Sequence, residues 1–344
     1  MSAPPSLPAR RVLLIHFGQM GDAVLALPAA QAVRRAYSAA AVTVLAGRSG
    51  AEIFRLAGFQ PVWAVDRAAW RNSPPRAARE LLVLLARLRR ARFDLSVDLH
   101  AYKETNLLAW AAGIRVRVAM LRPTRSWPRL ITHKPPPDQA RDHLLDRYCR
   151  VLAPLGISVM DRRPQLVAAP EDAAWAAAEM PDAKEYLGIC PGAGHPSRRW
   201  PAANFAAAAR QLARQLAAPP RIAVFAGPEE TEAQLAPLRE LAGARVYSRL
   251  SVSRLAAALA RCRVVAGNAS GPSHIAAATG TVVITIGEIP MFDPPGRVIP
   301  VRAERVVSDV SVAAVAEALS RGWQWSAGDQ SPVSARPLKG EGLG

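Results

Sequence analysis

Apolar and polar positions alternate along the chain in two distinct patterns. Short runs rich in valine, isoleucine and leucine predict strands, and longer stretches with leucines three and four positions apart predict amphipathic helices. In the N-terminal half the predicted strands cover residues 12–16, 41–47, 62–66, 93–99 and 114–120. Residues 75–91 are typical of the helices between them. Several strand runs lack polar alternation, which indicates parallel strands covered on both faces in a doubly wound α/β unit.

The same alternation begins again in the second half of the chain. A predicted helix around 140–155 is followed by a segment rich in prolines and charges, which we interpret as a linker. Predicted strands then cover 186–190, 221–227, 244–248, 262–268 and 281–287. We therefore predict two Rossmann-like domains, 1–160 and 161–324, facing across a cleft, and a disordered tail over 325–344. Ligands in such folds bind outside the carboxyl ends of the strands, so the loops after strands are expected to carry the function.

Composition narrows the class of protein. A chain of 344 residues is long enough for two domains that each have a core. No apolar run approaches the roughly 20 residues of a membrane-spanning helix, and the opening residues lack the pattern of a signal peptide. Three widely separated cysteines, Cys149, Cys190 and Cys262, indicate neither a disulfide framework nor a zinc site. We expect a cytoplasmic protein.

The charge balance indicates an anionic partner. The net charge is +17, which favours nucleic acid, a membrane surface or a phosphorylated substrate. Nucleic acid is the weakest of these, because the chain has no zinc-finger spacing, no ribonucleoprotein aromatic motif and no single dense basic block. An arginine-rich composition without any partner is the alternative explanation of the charge.

The first candidate site is the stretch VLLIHFGQMGDAVLALP, where an apolar strand meets two glycines and one acid. Gly18 and Gly21 separate the strand from the helix, and Asp22 stands where helical patterning begins. An aspartate there can be the N-cap of the helix, because its side chain accepts hydrogen bonds from free backbone N–H groups. It can also be a catalytic base at the rim of a cleft.

A second candidate is the loop after the strand at 186–190. Gly192 and a further glycine let the backbone approach a ligand, and Arg198 and Arg199 offer forked donors suited to phosphate oxygens. Pro201 can open the next helix. The alternative, a plain strand–turn–helix connection with surface arginines, is equally consistent with the spacing.

Two more loops of the second half carry candidate residues. In FAGPEETEAQ, Glu229 and Glu230 fit the dipole at the start of a helix, although a carboxylate there could also bind a ribose. In VVAGNASGPSHIAAATG, the N–H groups around Ser270 and Gly271 at a helix N-terminus form a natural diphosphate site. His274 lies one turn further on, where it could face the ligand or simply be packed in the core.

These loops together resemble glycosyltransferase family 9, the heptosyltransferases of lipopolysaccharide assembly. The resemblance rests on the opening Gly-x-x-Gly-Asp and on PGAGxxxxRxWP, GPEE and NxSGPxHxAAA in this order, and it covers about residues 11–320. FDLSVDLH and HLLDRYCRVLAPLG are similar to further segments of that family. The resemblance implies a GT-B fold, in which two Rossmann-like domains face each other across a cleft.

The resemblance also implies a mechanism and residue roles. Family members are inverting and metal-independent, typically use ADP-heptose, and bind the nucleotide in the C-terminal domain and the acceptor in the N-terminal one. Asp22 matches the general base, Arg198 the position of a phosphate-binding lysine, and Glu229 the acid that binds the ribose. Gly271 and His274 match the diphosphate loop. The remaining donor-site candidates are Gly21, Gly192, Arg199, Leu250 and Ser270. No cofactor is implied, and the chain contains no Asp-x-Asp pair for a divalent cation.

The chain departs from the family pattern on the donor side. Ala269 stands where the family usually has an acid, and IGEIPMFDPPG lacks the usual glycine-proline-threonine turn. Glu288 is the nearby acid that could substitute for the missing one. The leading hypothesis is a glycosyltransferase acting on a lipopolysaccharide-type core. The alternatives are a weakened nucleotide-binding scaffold protein and a nucleotide-sugar epimerase, although no carboxylate pair for an epimerase is evident.

The acceptor is expected to be an anionic glycolipid at a membrane surface. Eight arginines lie on or near the connecting segments of the first half: Arg67, Arg71, Arg76, Arg115, Arg117, Arg122, Arg125 and Arg129. Such side chains would suit a phosphorylated and carboxylated glycolipid. The alternative is an ordinary solvated surface.

Overall fold

The computed structural model describes residues 7–67, 74–138, 142–287 and 290–325. Arg71, Glu288 and the side chain of Arg76 lie outside the described part. Apart from Trp325, the predicted tail also lies outside it.

The N-terminal half forms a five-stranded parallel sheet with the strand order β3-β2-β1-β4-β5. Its strands are β1 (Arg11–His16), β2 (Ala41–Gly47), β3 (Val62–Val65), β4 (Leu95–Asp98) and β5 (Val116–Ala119). The helices are α1 (Met20–Ala36), α2 (Arg48–Leu56), α3 (Pro74–Ala91), α4 (Lys103–Ala111) and α5 (Leu144–Arg150). A 3-10 turn spans Pro128–Leu130.

The C-terminal half forms a six-stranded parallel sheet with the order β11-β10-β9-β6-β7-β8. Its strands are β6 (Tyr186–Cys190), β7 (Arg221–Ala226), β8 (Arg245–Ser248), β9 (Cys262–Asn268), β10 (Val282–Ile286) and β11 (Val298–Val301). The helices are α6 (Pro170–Glu179), α7 (Ala202–Gln215), α8 (Glu232–Arg239), α9 (Val252–Arg261), α10 (Gly271–Ala278) and α11 (Val312–Gln324). The prediction of two doubly wound Rossmann-like sheets is confirmed.

The strand β11 is the element that the sequence pattern missed. Its residues, VIPV, were not among the predicted strands. Pro300 cannot donate a ladder hydrogen bond, but β11 pairs only with β10 and forms the edge of the sheet, where proline is tolerated.

The hydrophobic core connects the two sheets. One cluster extends from Leu14 of β1 through Leu27 of α1 to Ile275 of α10 and Val265 of β9. The helices α1 and α10 pack against each other. The N-terminal end of α1 therefore meets the second half of the chain, and this contact positions the candidate site. The predicted boundary at residue 160 stays a prediction.

Candidate active site

Both sheets reverse their strand order next to their first strand. The reversal lies between β1 and β4 in the first sheet and between β6 and β9 in the second. A crevice at the carboxyl ends of the strands is expected at such a point. The loop after β1 leads to Asp22, and the loops after β6 and β9 carry Arg198 and Ser270. The candidate residues therefore follow the strands that flank the two crevices.

Asp22 has a different position in its helix from the one predicted. Gln19 is the N-cap of α1, and Asp22 is the third helical residue. The alternative interpretation of Asp22 as the N-cap residue is therefore wrong, and the structure leaves the catalytic-base prediction open. Its Oδ2 instead accepts a hydrogen bond from the backbone N–H of Gln19 at 2.9 Å, as the acid of a capping box does. This hydrogen bond engages Oδ2 and thereby fixes the orientation of the carboxylate, including that of Oδ1.

The environment of Asp22 shifts its proton affinity in both directions. Burial raises the pKa of the carboxyl group above its ordinary value. The hydrogen bond from Gln19 and the positive charges of Arg122 and Arg198 act against this rise. Arg122 belongs to the first half of the chain and Arg198 to the second, so cationic groups of both halves lie within electrostatic reach of this carboxylate.

The two glycines before Asp22 allow close packing. A Cβ added to Gly18 would lie 2.8 Å from both Asp22 Oδ2 and His16 Cε1. A Cβ added to Gly21 would lie 2.7 Å from Cδ2 of His274. A side chain at Gly18 would therefore clash with Asp22 and His16, and one at Gly21 would force α1 away from α10.

A buried cluster of histidine and tyrosine side chains lies next to Asp22, and sequence reasoning missed it. His16 Nε2 is 3.3 Å from the Tyr148 hydroxyl, which is 3.5 Å from His100 Nδ1. His100 Nε2 is in turn 3.1 Å from the Tyr102 hydroxyl. Burial lowers the pKa of His16 to about 3 and is the main cause that lowers the pKa of His100 to about 2, so both rings are neutral at pH 7. The His16 and His100 side chains of this cluster therefore carry no charge beside Asp22 at pH 7.

The buried neutral His16 predicts a specific loss of stability in acid. Its folded-state pKa of about 3 lies below the ordinary 6.5, so the unfolded chain binds the proton more tightly. The contribution of neutral His16 to the stability of the folded state is complete above pH 6.5 and is lost as the pH falls towards 3. Between pH 7 and about pH 5 this one residue is expected to cost about 2 kcal/mol of unfolding free energy.

The measurement is urea unfolding of the wild type and of the His16→Gln variant at both pH values. The variant keeps a polar side chain near Tyr148, but glutamine cannot titrate. Its loss of unfolding free energy between pH 7 and pH 5 is therefore expected to be about 2 kcal/mol smaller than that of the wild type. An identical pH dependence in both proteins would show that His16 is not held neutral in the fold.

Arg198 and Arg199 point to different partners. Arg199 donates to the carbonyl oxygen of Ala193 at 3.1 Å and to Oε2 of Glu229 at 2.9 Å. Arg199 therefore stabilises its own loop and links it to the loop after β7. Arg198 is exposed and close enough to Asp22 to lower the pKa of that carboxyl. Of the two predicted phosphate ligands, Arg198 is the one directed towards the other half of the chain.

The two acids after β7 also differ in orientation. Glu229 is ion-paired with Arg199, and its side chain is 68% exposed. Glu230 turns inward and accepts a hydrogen bond from the backbone N–H of Gly227. A Cβ on Gly192 would lie 2.7 Å from Glu230 Oε1, and one on Gly227 2.8 Å from Oε2. These two glycines thus form a cradle for the Glu230 carboxylate, which the sequence analysis had treated as a dipole-complementing acid.

The loop after β9 presents a helix N-terminus to α1. Ser270 is the N-cap of α10, and its buried Oγ makes no hydrogen bond within the described residues. A Cβ on Gly271 would lie 3.0 Å from Sδ of Met20 in α1. His274 is buried against Gly21, and burial is the main cause that lowers its pKa to about 4. His274 therefore contributes packing between the two halves.

Asn268 fixes the two donor-side loops to each other. Its Oδ1 accepts a hydrogen bond from the backbone N–H of Trp200 at 2.9 Å, and its Nδ2 donates to the carbonyl oxygen of Pro191 at 2.6 Å. Ala269, where the family pattern has an acid, follows directly and donates its backbone N–H to Ile286 at 3.2 Å. Leu250 lies on the loop after β8 at the same edge of the sheet and is half-buried.

Of the eight arginines of the first half, the six whose side chains the structure describes divide into groups. The charges of Arg67, Arg122 and Arg125 all act on His100, so these three lie near the β4 loop. Arg117 instead donates to Leu130 O at 2.6 Å and is tied to its own segment. Arg115 precedes β5, at the edge of the sheet opposite the crevice, and Arg129 lies in the 3-10 turn. Among these six, the group at the β4 loop is therefore the candidate for binding the acceptor, and the predictions for Arg71 and Arg76 stay predictions.

Comparison with known proteins identifies the family. The sequence model of glycosyltransferase family 9 (heptosyltransferase) matches residues 82–288, more than half of the chain. The chain belongs to glycosyltransferase family 9. It is accordingly a glycosyltransferase of the heptosyltransferase family, as the four motifs predicted. The comparison with curated protein sequences returned no match.

Solved structures share the fold. A glycosyl transferase family 9 structure from Veillonella parvula has a TM-score of 0.73 at 20% identity, covering 91% of this chain and 97% of that one. E. coli heptosyltransferase WaaC with ADP-2-deoxy-2-fluoro heptose gives 0.73 at 22%, covering 90% and 99%. E. coli ADP-heptose lps heptosyltransferase II gives 0.70 at 20%, covering 91% and 98%. The predicted GT-B fold is confirmed. Within the described ranges, none of the helices is long and apolar enough to cross a bilayer.

Proposed function

We propose that this enzyme transfers a heptose, or a closely related sugar, from a nucleoside-diphosphate donor to the core region of a lipopolysaccharide-type acceptor. ADP-heptose is the donor that the family resemblance favours. The reaction inverts the anomeric carbon and needs no metal. The observation that carries the proposal is the meeting of Asp22, Arg198 and the N-terminus of α10 where the two halves of the chain touch.

In the proposed reaction Asp22 is the general base. The acceptor hydroxyl attacks the anomeric carbon from the face opposite the diphosphate, and Asp22 takes up the hydroxyl proton. The new carbon–oxygen bond forms as the bond between the anomeric carbon and the diphosphate oxygen breaks. Burial, which raises the pKa of the Asp22 carboxyl, makes it a stronger base than an exposed aspartate.

The leaving diphosphate is stabilised by groups of the second half. Arg198 supplies positive charge, and the N-terminus of α10 supplies backbone N–H groups together with the unsatisfied hydroxyl of Ser270. These donors are fixed before the reaction, because Asn268 holds both loops together. They perform the charge stabilisation that a divalent cation supplies in other glycosyltransferases.

We propose Glu230, rather than Glu229, as the acid that binds the ribose hydroxyls. Its carboxylate is held between Gly192 and Gly227, beside the β6 loop, whereas Glu229 is paired with Arg199. Removing the charge of a carboxylate that accepts two hydroxyl donors is expected to weaken nucleotide binding by about 1.5–3 kcal/mol. Titration of ADP into Glu230→Gln and Glu229→Gln variants measures this difference.

The Glu229→Gln variant is the matched control, since it changes the neighbouring acid in the same way. We expect it to bind ADP within about threefold of the wild type, because its partner Arg199 keeps the bond to Ala193. A larger loss of ADP affinity in Glu229→Gln than in Glu230→Gln would return the role to Glu229.

The acceptor is proposed to bind in the first half of the chain. Arg122 donates to the carbonyl oxygen of His100 at 3.1 Å and lies within electrostatic reach of Asp22. Arg67 stacks over the Tyr102 ring at 3.6 Å. Arg122 would bind a phosphate or carboxylate group of an anionic glycolipid close to the base, whereas the charge of Arg67 is shared with its ion-pair partner Glu104. Such an acceptor implies contact between the enzyme and a membrane surface.

The function is tested by measuring nucleoside diphosphate release with a panel of nucleotide sugars, in the presence and absence of a lipopolysaccharide core acceptor. We expect release from ADP-heptose that depends on the acceptor. Release from a different nucleotide sugar only would mean that the enzyme transfers another sugar than heptose. Ala269 is compatible with such a donor, because it replaces the acid of the family pattern. Nucleotide binding without any release would favour the scaffold hypothesis, and conversion of a nucleotide sugar without acceptor would favour an epimerase.

A further inference from the structure

The helices that cover the outer face of the first sheet carry large apolar side chains that are not buried in the core. The helices α3 and α4 cover the side of this sheet opposite α1, and α4 packs on both α3 and the 3-10 turn at Pro128–Leu130. On the inward side of α3, Leu84 and Leu88 are buried in the core. Leu82 and Val83 point the other way and are 67% and 62% exposed.

The exposed apolar side chains continue across the neighbouring elements. Leu107 and Trp110 lie on the outer side of α4, and Trp110 is 53% exposed. Trp127 precedes the 3-10 turn, is 41% exposed, and is tied to α4 by a 2.9 Å bond from its backbone N–H to Asn106. We call these five residues, Leu82, Val83, Leu107, Trp110 and Trp127, the outer apolar patch. Several large apolar side chains exposed on neighbouring elements of one face are typical of an interaction surface.

The charges around the outer apolar patch identify the kind of partner. Exposed basic side chains border it: Arg79 and Arg90 on α3, Lys103 on α4 and Arg129 on the 3-10 turn. On α4 the acid Glu104 is neutralised by Arg67 at 2.9 Å. A second copy of this chain would bring the same positive border against itself, which disfavours a dimer through this face. An anionic lipid surface attracts the border and accepts the apolar side chains.

We infer that the outer apolar patch and its basic border dock this enzyme onto an anionic lipid bilayer. Leu82 and Val83 enter the boundary between headgroups and acyl chains, and Trp110 and Trp127 lie at headgroup depth, where indole rings are favoured. The helix α4 begins directly after the loop that carries His100 and Tyr102. A bilayer on this face therefore lies next to the proposed acceptor side of the crevice.

This inference rests on the proposed function, because an acceptor anchored in a bilayer is what would require the enzyme to bind the bilayer. Its test is independent of catalysis. The full-length protein is sedimented with vesicles of phosphatidylcholine alone and with vesicles of roughly equal parts phosphatidylcholine and phosphatidylglycerol, with neither donor nor acceptor present. We expect binding to the anionic vesicles that weakens as salt is added, and much weaker binding to the neutral ones.

Two variants and two matched controls locate the docking face. The triple variant Leu82→Gln, Val83→Gln, Trp110→Gln and the charge variant Arg79→Glu, Arg90→Glu are each expected to bind anionic vesicles at least about tenfold more weakly. The controls are Met160→Gln with Val167→Gln, at apolar positions that are even more exposed, and Arg210→Glu with Arg214→Glu on α7. Both controls are expected to bind like the wild type. Unchanged thermal midpoints show that the variants fold.

Transfer assays then separate docking from catalysis. On a lipid-free acceptor sugar, the triple variant is expected to turn over like the wild type, and on an acceptor embedded in vesicles it is expected to lose activity. If no form transfers sugar, the proposed function fails while the vesicle result still decides the docking face. The inference is overturned if the wild type does not bind anionic vesicles, or if the triple variant binds them as tightly as the wild type does. It is also overturned if the triple variant only converts a dimer into a monomer, since the patch would then join two copies.

Discussion

Replacing Asp22 with asparagine is expected to lower turnover by about 10²–10⁴-fold, the usual contribution of a general base. Asparagine has nearly the same shape, and its side-chain oxygen can still accept the Gln19 N–H, so α1 keeps its capping interaction. The amide cannot accept the proton of an acceptor hydroxyl. Steady-state kinetics of Asp22→Asn, with thermal unfolding as a check of the fold, measure the effect.

Two further observations make the Asp22 experiment specific. ADP affinity is expected to remain within a few-fold of the wild type, because in the proposed reaction Asp22 acts on the acceptor hydroxyl and not on the nucleotide. In the wild type, turnover is expected to fall as the pH drops through the raised pKa of Asp22, since the protonated carboxyl group cannot act as a base. A variant with wild-type turnover would mean that Asp22 only caps α1.

Replacing Arg198 with alanine is expected to raise the barrier by about 3 kcal/mol, which lowers turnover by more than a hundredfold. The change removes a positive charge from the leaving diphosphate, and donor binding weakens as well. It also removes one of the charges that lower the pKa of Asp22. The acidic limb of the pH–rate profile is therefore expected to move to higher pH in Arg198→Ala.

Arg198→Lys and Arg199→Ala are the controls for this effect. Lysine keeps the charge, and the family resemblance gives a lysine at this position, so most of the turnover is expected to return. Arg199 is bound to Ala193 and Glu229, and its loss is expected to loosen the loop with a smaller effect on turnover. Equal losses in Arg198→Ala and Arg199→Ala would contradict the assignment of Arg198 as the phosphate ligand.

The strands and the loops after them could be predicted because local sequence determines both. Runs such as VLLIH and VVITI are apolar on both faces, which is typical of a parallel strand, and the motif residues follow these runs directly. In a doubly wound sheet, that position alone places a residue at the ligand-binding edge. The edge strand β11 escaped this reasoning because Pro300 is atypical of strands, and only its one-sided pairing makes it acceptable.

The directions of the side chains could not be predicted from spacing. Arg198 and Arg199 are adjacent in sequence, as are Glu229 and Glu230, and each pair diverges through contacts with distant loops. The buried cluster beside Asp22 combines His16, His100 and Tyr148, which are far apart in the chain and carry no local signal. The N-cap alternative for Asp22 fails because α1 begins at Met20, before the second glycine, so that Asp22 is the third helical residue.

The most direct test of the central claim is the anomeric configuration of the product, determined by nuclear magnetic resonance. The enzyme is incubated with ADP-heptose and a lipopolysaccharide core acceptor in the presence of EDTA. Asp22 as base on one side of the anomeric carbon, with Arg198 and the α10 N-terminus on the other, predicts a single product of inverted configuration and one ADP released per sugar transferred. Retention of configuration, or a strict requirement for magnesium, would contradict the account.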